Sequence, residues 1–346
     1  MPPAHAPSQL AYLVYGKNPD YSLEARFSIL TALRGEEAPR ILLYTDSPAD
    51  YDGWPVEVIA LDEATLADWT GADGYIHRRK ACAIRDALQY ADVSIFVDTD
   101  TCFLQPAKNL VSLAKSAAWL VDKIEARWGD WSHLPIYQHL APLLRKKYGV
   151  GEQMLLINSG VLGLQGKARP IQNETIRLID ELYPLAPDIH IIEQFAVAVA
   201  ARDFPRPAQS KDIVRHYYSE KEYWRAMIRC FFARHGTHFD QTLLAAACAV
   251  PSSRPKPGWR HRLVFKIKSI GLNRLEKRPA RLAYYAVHLP DNPYAQACGL
   301  EYCKAMAKLS PELARLFSSR ALPARWRRLF NQADCDTLAV LLEQCV

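Results

Sequence analysis

Short apolar runs alternate with helical periodicities over the first two thirds of the chain. Residues 9–15 form an apolar run broken by Gly16, and 41–44 form a second that ends in the turn sequence Thr45-Asp46-Ser47-Pro48. Runs at 56–61 and 93–97 read as third and fourth strands. Further strand-like segments lie at 119–121, 154–157, 161–164 and 213–217. The residues Asn158-Ser159-Gly160 interrupt the pair at 154–164 and read as a turn. Between the strands lie helical periods. In 21–33, Leu23, Phe27, Leu30 and Leu33 fall on one face, and 62–69 reads as a short helix capped by Asp62. Other helices are expected over 80–90, from Pro106 to 115, and over 174–182, 192–201 and 220–233. This alternation over 9–220 predicts an α/β fold with a Rossmann-like mixed sheet, largely parallel, flanked by helices. After residue 250 the pattern changes. Pro251, Pro255 and Pro257 read as a linker, and the remainder is helical without strand alternation. The expected organisation is an α/β domain over 1–250 and an α-helical extension over 251–346.

With 346 residues, 49% of them apolar, the chain is long enough for a sizeable core, and disorder is not expected. No window approaches the roughly 20 apolar residues of a membrane span. The first residues lead into a strand-like segment with no basic, then long apolar, leader pattern. The eight cysteines are scattered with no Cys-x-x-Cys pair, which argues against a zinc site and for free thiols in a reducing cytoplasm. The net charge of +6 is unevenly placed. Residues 254–281 hold ten Lys/Arg against the single acid Glu276, a segment charge of +9 that leaves the rest at −3.

The most informative chemistry is Asp98-Thr99-Asp100, which ends the apolar run at 93–97. A buried strand whose carboxyl end opens into a cleft gives this pattern, and two carboxylates crowded there repel unless a cation sits between them. Hard divalent ions, Mg²⁺ or Mn²⁺, take such oxygen ligands together with substrate phosphates. Other polar clusters also fall at expected strand ends: Tyr15-Gly16, Thr45-Asp46, Asn158-Ser159-Gly160 and His216. Ligands of open α/β sheets bind beyond strand carboxyl ends. An imidazole from His216 beside Asp98 and Asp100 favours Mn²⁺ over Mg²⁺. Arg78, Arg79 and Lys80 open a helix from which phosphates are within reach. Tyr15 and Tyr44 are candidates for stacking on a base. Gly160, lacking a side chain, permits close approach of a sugar.

The order and spacing of these clusters over residues 9–224 resemble the GT-A fold glycosyltransferases, and most of all their retaining, glycogenin-like branch. The resemblance rests on Asp98-x-Asp100 after an apolar strand, on Asn158-Ser159-Gly160-Val161-Leu162-Gly163, on Glu193-Gln194 in a later helix, and on His216 before Tyr217-Tyr218-Ser219-Glu220-Lys221. It implies that Asp98, Asp100 and His216 hold Mn²⁺ (or Mg²⁺) against the diphosphate of a nucleotide-sugar donor, a UDP-sugar being favoured. It further implies that Tyr15, Gly16, Thr45, Asp46, Arg79, Lys80, Thr99, Ser159, Gly160 and Lys221 bind the donor. Asn158, Glu193 and Gln194 would stand at the reacting sugar, which passes to a saccharide or glycolipid acceptor with retention. The chain departs from that branch at Ser219, where a glycine is usual, and at Lys221, one residue early. No proline precedes Trp224, and Glu193 replaces the more usual aspartate. These mark a divergent member.

Two rival functions share parts of the pattern. A haloacid dehalogenase-type phosphatase also sets Asp-x-Asp after an apolar strand, but at its first strand and with a later acidic pair, and no Asp-Asp occurs in this chain. A non-catalytic sugar-nucleotide-binding protein would need no metal set. In the extension, Trp259, Leu263, Ile267 and Ile270 fall at helical spacing among the cations of 254–281. The segment reads either as a basic amphipathic helix on an anionic membrane, placing the protein peripherally at the inner face, or as a helix packed on the catalytic domain with a solvated basic face. No nucleic-acid module is present, so nucleic acid is not an expected partner.

Overall fold

A computed structural model describes residues 3–35, 37–138, 140–319 and 322–345. They pack as two compact units, residues 1–217 with 238–244, and residues 218–237 with 245–346.

Among the described residues the first unit has nine strands: β1 (Ala6–Val14), β2 (Ile41–Thr45), β3 (Glu57–Ala60), β4 (Ala91–Val97), β5 (Thr101–Phe103), β6 (Trp119–Arg127), β7 (Leu155–Gln165), β8 (Ala208–Gln209) and β9 (Val214–His216). Seven form one sheet in the order β3-β2-β1-β4-β7-β6-β8, and β5 pairs with β9 in a second, two-stranded sheet. β3, β2, β1 and β4 run parallel, and β7 is antiparallel to both β4 and β6. β6 and β8 pair in parallel, so the sheet is mixed and largely parallel, as the α/β expectation has it, with β7 reversed. Its helices are α1 (Pro19–Ala32), α2 (Glu63–Thr70), α3 (Arg78–Ala87), α4 (Ala107–Ser116), α5 (Trp128–Trp131), α6 (Leu140–Tyr148), α7 (Ile171–Leu182) and α8 (Ile192–Ala200).

Local chemistry sets the helix ends. Asn18 and Asp62 cap α1 and α2 by accepting backbone N–H bonds from Asp20 and Thr65. Pro106 sits at the N-cap of α4, one position earlier than the sequence pattern suggests. Alternation along the strands sorts side chains to two faces. Ala11, Leu42, Tyr44, Phe96 and Leu162 belong to a core cluster with residues of α2, α3, α7 and α8. On the other face, the Tyr12 hydroxyl meets Ser28 of α1 at 3.2 Å. Ser28 in turn lies 2.6 Å from the Thr101 hydroxyl, and Thr31 accepts the Phe103 N–H at 2.9 Å, so α1 carries β5.

Two expectations are corrected here. Where two strand-like pieces are expected, Leu155–Gln165 is one continuous strand. Its register against β6 passes from Val121↔Leu162 to Lys123↔Asn158, so extra residues on β7 bulge out opposite Asp122. The Asn-Ser-Gly sequence that reads as a turn runs into this bulge, where Ser159 and Gly160 fall between the paired Asn158 and Leu162, because a bulge asks for the same backbone permissiveness as a turn. The last strand, β9, does not join the main sheet.

In the second unit, α9 (Lys221–His235) packs with helices further along the chain. The rings of Tyr223 and Tyr302 lie 4.6 Å apart, and the Cys298 thiol reaches the Tyr223 carbonyl. The proline-rich stretch near 255 is built into this packing. Tyr302 donates its hydroxyl to the Pro255 carbonyl at 2.7 Å, and the Arg254 guanidinium lies over the Tyr223 and Tyr302 rings. The prolines thus mark a packed, extended segment. All eight cysteines are free. Among the described residues, no helix is long and apolar enough to cross a membrane.

Candidate functional site

The pairing of strands brings three distant segments to one place. The Asp98 N–H donates to the Gly160 carbonyl at 2.8 Å, extending the β4–β7 ladder past its last pair, Val97↔Val161. In the small sheet Thr101 pairs with His216, and the Tyr217 N–H donates to the Asp100 carbonyl at 3.0 Å. The two aspartates are thereby pinned between the β7 bulge on one side and β9 on the other.

His216 Nε2 lies 3.3 Å from Asp100 Oδ1 and 3.9 Å from Asp98 Oδ2. One ligand atom from each of the three residues falls within 4.8 Å of the others. The imidazole packs where a side chain at residue 160 would lie: a Cβ there would collide with its Nδ1 and Cε1. Gly160 thus makes room for the histidine, and the close approach attributed by the sequence to a sugar is taken by a neighbouring ring. The other imidazole nitrogen, Nδ1, is 3.1 Å from Asp122 Oδ2. Burial pulls the imidazole down, but hydrogen bonds to Asp100 and Asp122 outweigh it, and the His216 pKa is pushed up to about 9.

Two carboxylates and one imidazole form a donor set that fits a divalent ion of the Mn²⁺ kind. Their crowding around Nε2 is the observation on which this fit rests.

A second set of charges adjoins this cluster. Lys80, from the first turn of α3, holds both Asp98 oxygens at 2.9 and 3.0 Å and donates to the Ser159 carbonyl at 3.0 Å. The Lys80 ammonium lies 3.9 Å from Glu193 Oε2. Burial alone would lower its pKa, but the Asp98 and Glu193 charges hold it above its ordinary value. Glu193, buried at the start of α8, accepts the Ser159 hydroxyl at 2.8 Å. Its Oε1 has no hydrogen-bond partner among the described residues. Burial pushes the Glu193 carboxyl above its ordinary value, with Lys80 opposing. Gln194 accepts the Ser159 N–H at 3.2 Å. Asn158 accepts the Gly160 N–H at 2.9 Å and faces Glu125 at 3.4 Å. Asp98, Asp100, His216, Lys80, Asn158, Ser159, Gly160, Glu193 and Gln194 are thus brought together, with Thr99 partly exposed between the aspartates.

Tyr15, Gly16, Thr45 and Asp46 sit at the carboxyl ends of β1 and β2. Gly16 has φ +92°, a conformation that glycine adopts readily, and its N–H donates to Asp46 Oδ2 at 2.8 Å. Thr45 accepts the Ser47 N–H. The Arg79 guanidinium lies 4.8 Å from the centre of the Tyr15 ring and bonds Thr70 and the Leu66 carbonyl. Arg78 is committed elsewhere, in an ion pair with Asp180 and a bond to the Asp68 carbonyl. Tyr44 is a core residue, its hydroxyl on Asp86 at 2.7 Å. Lys221 opens α9 in the second unit.

Three participants escaped the sequence reading. Asp122 was hidden inside the apolar run that starts at Trp119, and the lone acid there was its only signal. Glu125 is the extra residue at a second irregularity between β6 and β7. Tyr75 accepts the Glu193 N–H at 3.1 Å and donates to the His190 carbonyl at 2.9 Å, fixing the entry to α8 across more than a hundred residues of sequence.

No protein-family model and no curated protein matches the sequence. Among solved structures, the chain is similar to the galactosyltransferase LgtC in complex with donor and acceptor sugar analogues, at 12% identity over 70% of this chain and 98% of that one, with a TM-score of 0.40. It is also similar to apo mouse xyloside xylosyltransferase 1 (15% identity, 62% and 91% covered, TM-score 0.38). A third is the glycosyltransferase GlyE of Streptococcus pneumoniae TIGR4 (12% identity, 71% and 66% covered, TM-score 0.43). All three are glycosyltransferases. Likenesses this distant decide nothing by themselves, and the functional reading rests on the residues of the site.

Proposed function

We propose that this protein is a GT-A-type, metal-dependent glycosyltransferase. It moves a sugar from a nucleotide-sugar donor, a UDP-sugar being favoured, to a saccharide or lipid-linked acceptor with retention, in the cytoplasm. The observation that carries the reading is the convergence of Asp98, Asp100 and His216 beside the largely shielded Lys80, at the carboxyl edge of an α/β sheet.

Sugar transfer breaks the bond between the anomeric carbon and a diphosphate oxygen, which leaves with the electron pair. The acceptor hydroxyl oxygen forms the new bond, and in the retaining course its proton passes to the departing diphosphate, so no separate base is required. A divalent ion held by Asp98, Asp100 and His216, when bound, supplies Lewis-acid neutralisation of the leaving group. Lys80 contributes a fixed ammonium whose charge is secured by Asp98 and Glu193. The bulge residues Asn158, Ser159 and Gly160 shape the donor-sugar pocket, with Thr99 at its rim. Glu193 and Gln194 hold that bulge from behind and face the acceptor side. Tyr15, backed by Arg79, takes the nucleobase, and Gly16, Thr45 and Asp46 line the nucleoside end.

A panel of UDP-, GDP- and CMP-sugars with Mn²⁺ tests this. One donor should be hydrolysed or transferred, and NMR of the product should show the donor's anomeric configuration kept. Turnover of none of the donors, with phosphate monoesters hydrolysed instead, would replace the reading with a phosphatase.

A further inference from the structure

The second unit carries a surface that the catalytic reading does not use. Helix Trp259–Lys268 is fastened by one apolar residue: Phe265 is buried, its ring 5.2 Å from that of Tyr284. Several other large apolar residues of this helix, of the turn after it and of the start of the next helix face water. Trp259 is 64% exposed, Leu263 48%, Ile267 58%, Ile270 68% and Leu275 85%. Trp259, Leu263, Ile267 and Ile270 recur at helical spacing, so they form one stripe. A continuous apolar stripe exposed to water signals a binding surface.

Beside it, helix 259–268 and helix Arg274–Val287 enclose a cleft of about 750 Å³ lined by Arg262, Lys266, Arg274, Lys277, Arg278 and Arg281. No carboxylate is among the described residues lining it, and none of the six makes an ion pair with another described residue. Six like charges around one cavity repel, and an anion is their physical complement.

We propose that this face docks on an anionic lipid bilayer. Trp259, Leu263, Ile267, Ile270 and Leu275 enter the acyl boundary, and the cationic cleft receives phosphorylated headgroups. An apolar stripe alone would suit a second protein copy, and a cationic cleft alone would suit free phosphate or nucleic acid. Their adjacency on two neighbouring helices matches the layered chemistry of an anionic membrane surface, apolar beneath and phosphate above.

The test uses the full chain in a vesicle flotation assay, with phosphatidylcholine vesicles and with vesicles containing 30% phosphatidylglycerol. Flotation should require the anionic lipid and fall with salt. Leu263→Asp with Ile267→Asp should abolish it without altering the thermal unfolding temperature, since both side chains are exposed. Lys266→Gln with Lys277→Gln should lower the partition coefficient roughly 20- to 30-fold, at about 1 kcal/mol per charge. Millimolar inorganic phosphate should not release the bound protein at constant ionic strength. Equal flotation with neutral vesicles, or no flotation of the wild type, would overturn the proposal. So would full release by phosphate, tight binding to duplex DNA or RNA in place of vesicles, or a concentration-dependent dimer that the paired Asp substitutions dissolve.

Discussion

Asp122 Oδ2 lies 3.1 Å from His216 Nδ1, while the ring's other nitrogen, Nε2, faces Asp100 at 3.3 Å. The buried carboxylate fixes both the orientation and the tautomer of the imidazole, so that Nε2 is the atom presented to an ion. Asp122 comes into reach because β7 bulges opposite it. Asp122→Asn should keep the fold and lower Mn²⁺ affinity by roughly 10- to 100-fold, the usual cost of losing a partner that orients a metal-binding histidine. Isothermal titration of the purified variants measures this. Wild-type affinity in the variant would show that Asp122 serves packing alone.

Gly160 is the residue against which that ring rests. Gly160→Ala should displace the imidazole, cost about 1–3 kcal/mol of stability as an overpacked core does, and weaken ion binding together with Asp122→Asn. Gly151→Ala, at a position with open space around it, is the control and should be neutral. Equal behaviour of the two alanine variants in thermal unfolding and in Mn²⁺ titration would contradict the packing described.

Lys80 stands between Asp98 and Glu193, 13% exposed. Removing the ammonium leaves two carboxylates facing each other without a counter-charge. Lys80→Ala should therefore cost about 3 kcal/mol, the low end for a broken buried pair because Asp98 is partly exposed. Adding Glu193→Gln should restore part of the loss, because one of the stranded charges is then removed. Denaturant unfolding of the single and double variants decides. A double variant less stable than the single one would mean that the two carboxylates do not oppose each other across the lysine.

The second unit makes a pH prediction. Burial pushes the His288 imidazole below its ordinary value. The Asp334 carboxylate 3.7 Å away acts against the shift, and the neighbouring His261 and Lys268 add to it. Burial prevails. The folded state therefore favours the neutral ring, and the unfolded chain takes up a proton first as pH falls. Stability from this group is present above the ordinary imidazole pKa of about 6.5 and is lost as pH drops below it toward the folded value. Thermal unfolding of the wild type and of His288→Gln between pH 7.5 and 5 should show a steeper fall in the wild type. Parallel curves would rule His288 out as the source.

Most of the site was legible in the sequence because its parts lie at strand ends, where polarity changes abruptly. Asp98-x-Asp100 follows five mostly apolar residues, and His216 ends a short strand of its own. The bulge was misread as a turn because Asn-Ser-Gly answers the same backbone demand in both settings, and only pairing with β4 and β6 on either side tells them apart. Asp122 stayed hidden because its role comes from a register shift between strands more than thirty residues apart. Arg78 and Arg79 shared a basic run with Lys80, yet only Lys80 points at the aspartates. Helix periodicity gives the other two different faces, and their partners, Asp180, Thr70 and the Tyr15 ring, come from elements that local pattern does not link. The exposed stripe at 259–270 was visible as a periodicity, but whether it faced water or a core was a matter of tertiary packing around Phe265.

The central claim is that Asp98, Asp100 and His216 hold a divalent ion on which sugar transfer depends. The direct measurement is turnover of the accepted nucleotide sugar by chelator-treated protein, followed by Mn²⁺ addition, in the wild type and in Asp100→Ala. The account predicts loss of turnover in chelator, recovery on adding Mn²⁺ to the wild type, and no recovery in Asp100→Ala despite unchanged folding. Full turnover in excess chelator, or equal Mn²⁺ rescue of Asp100→Ala, would contradict it.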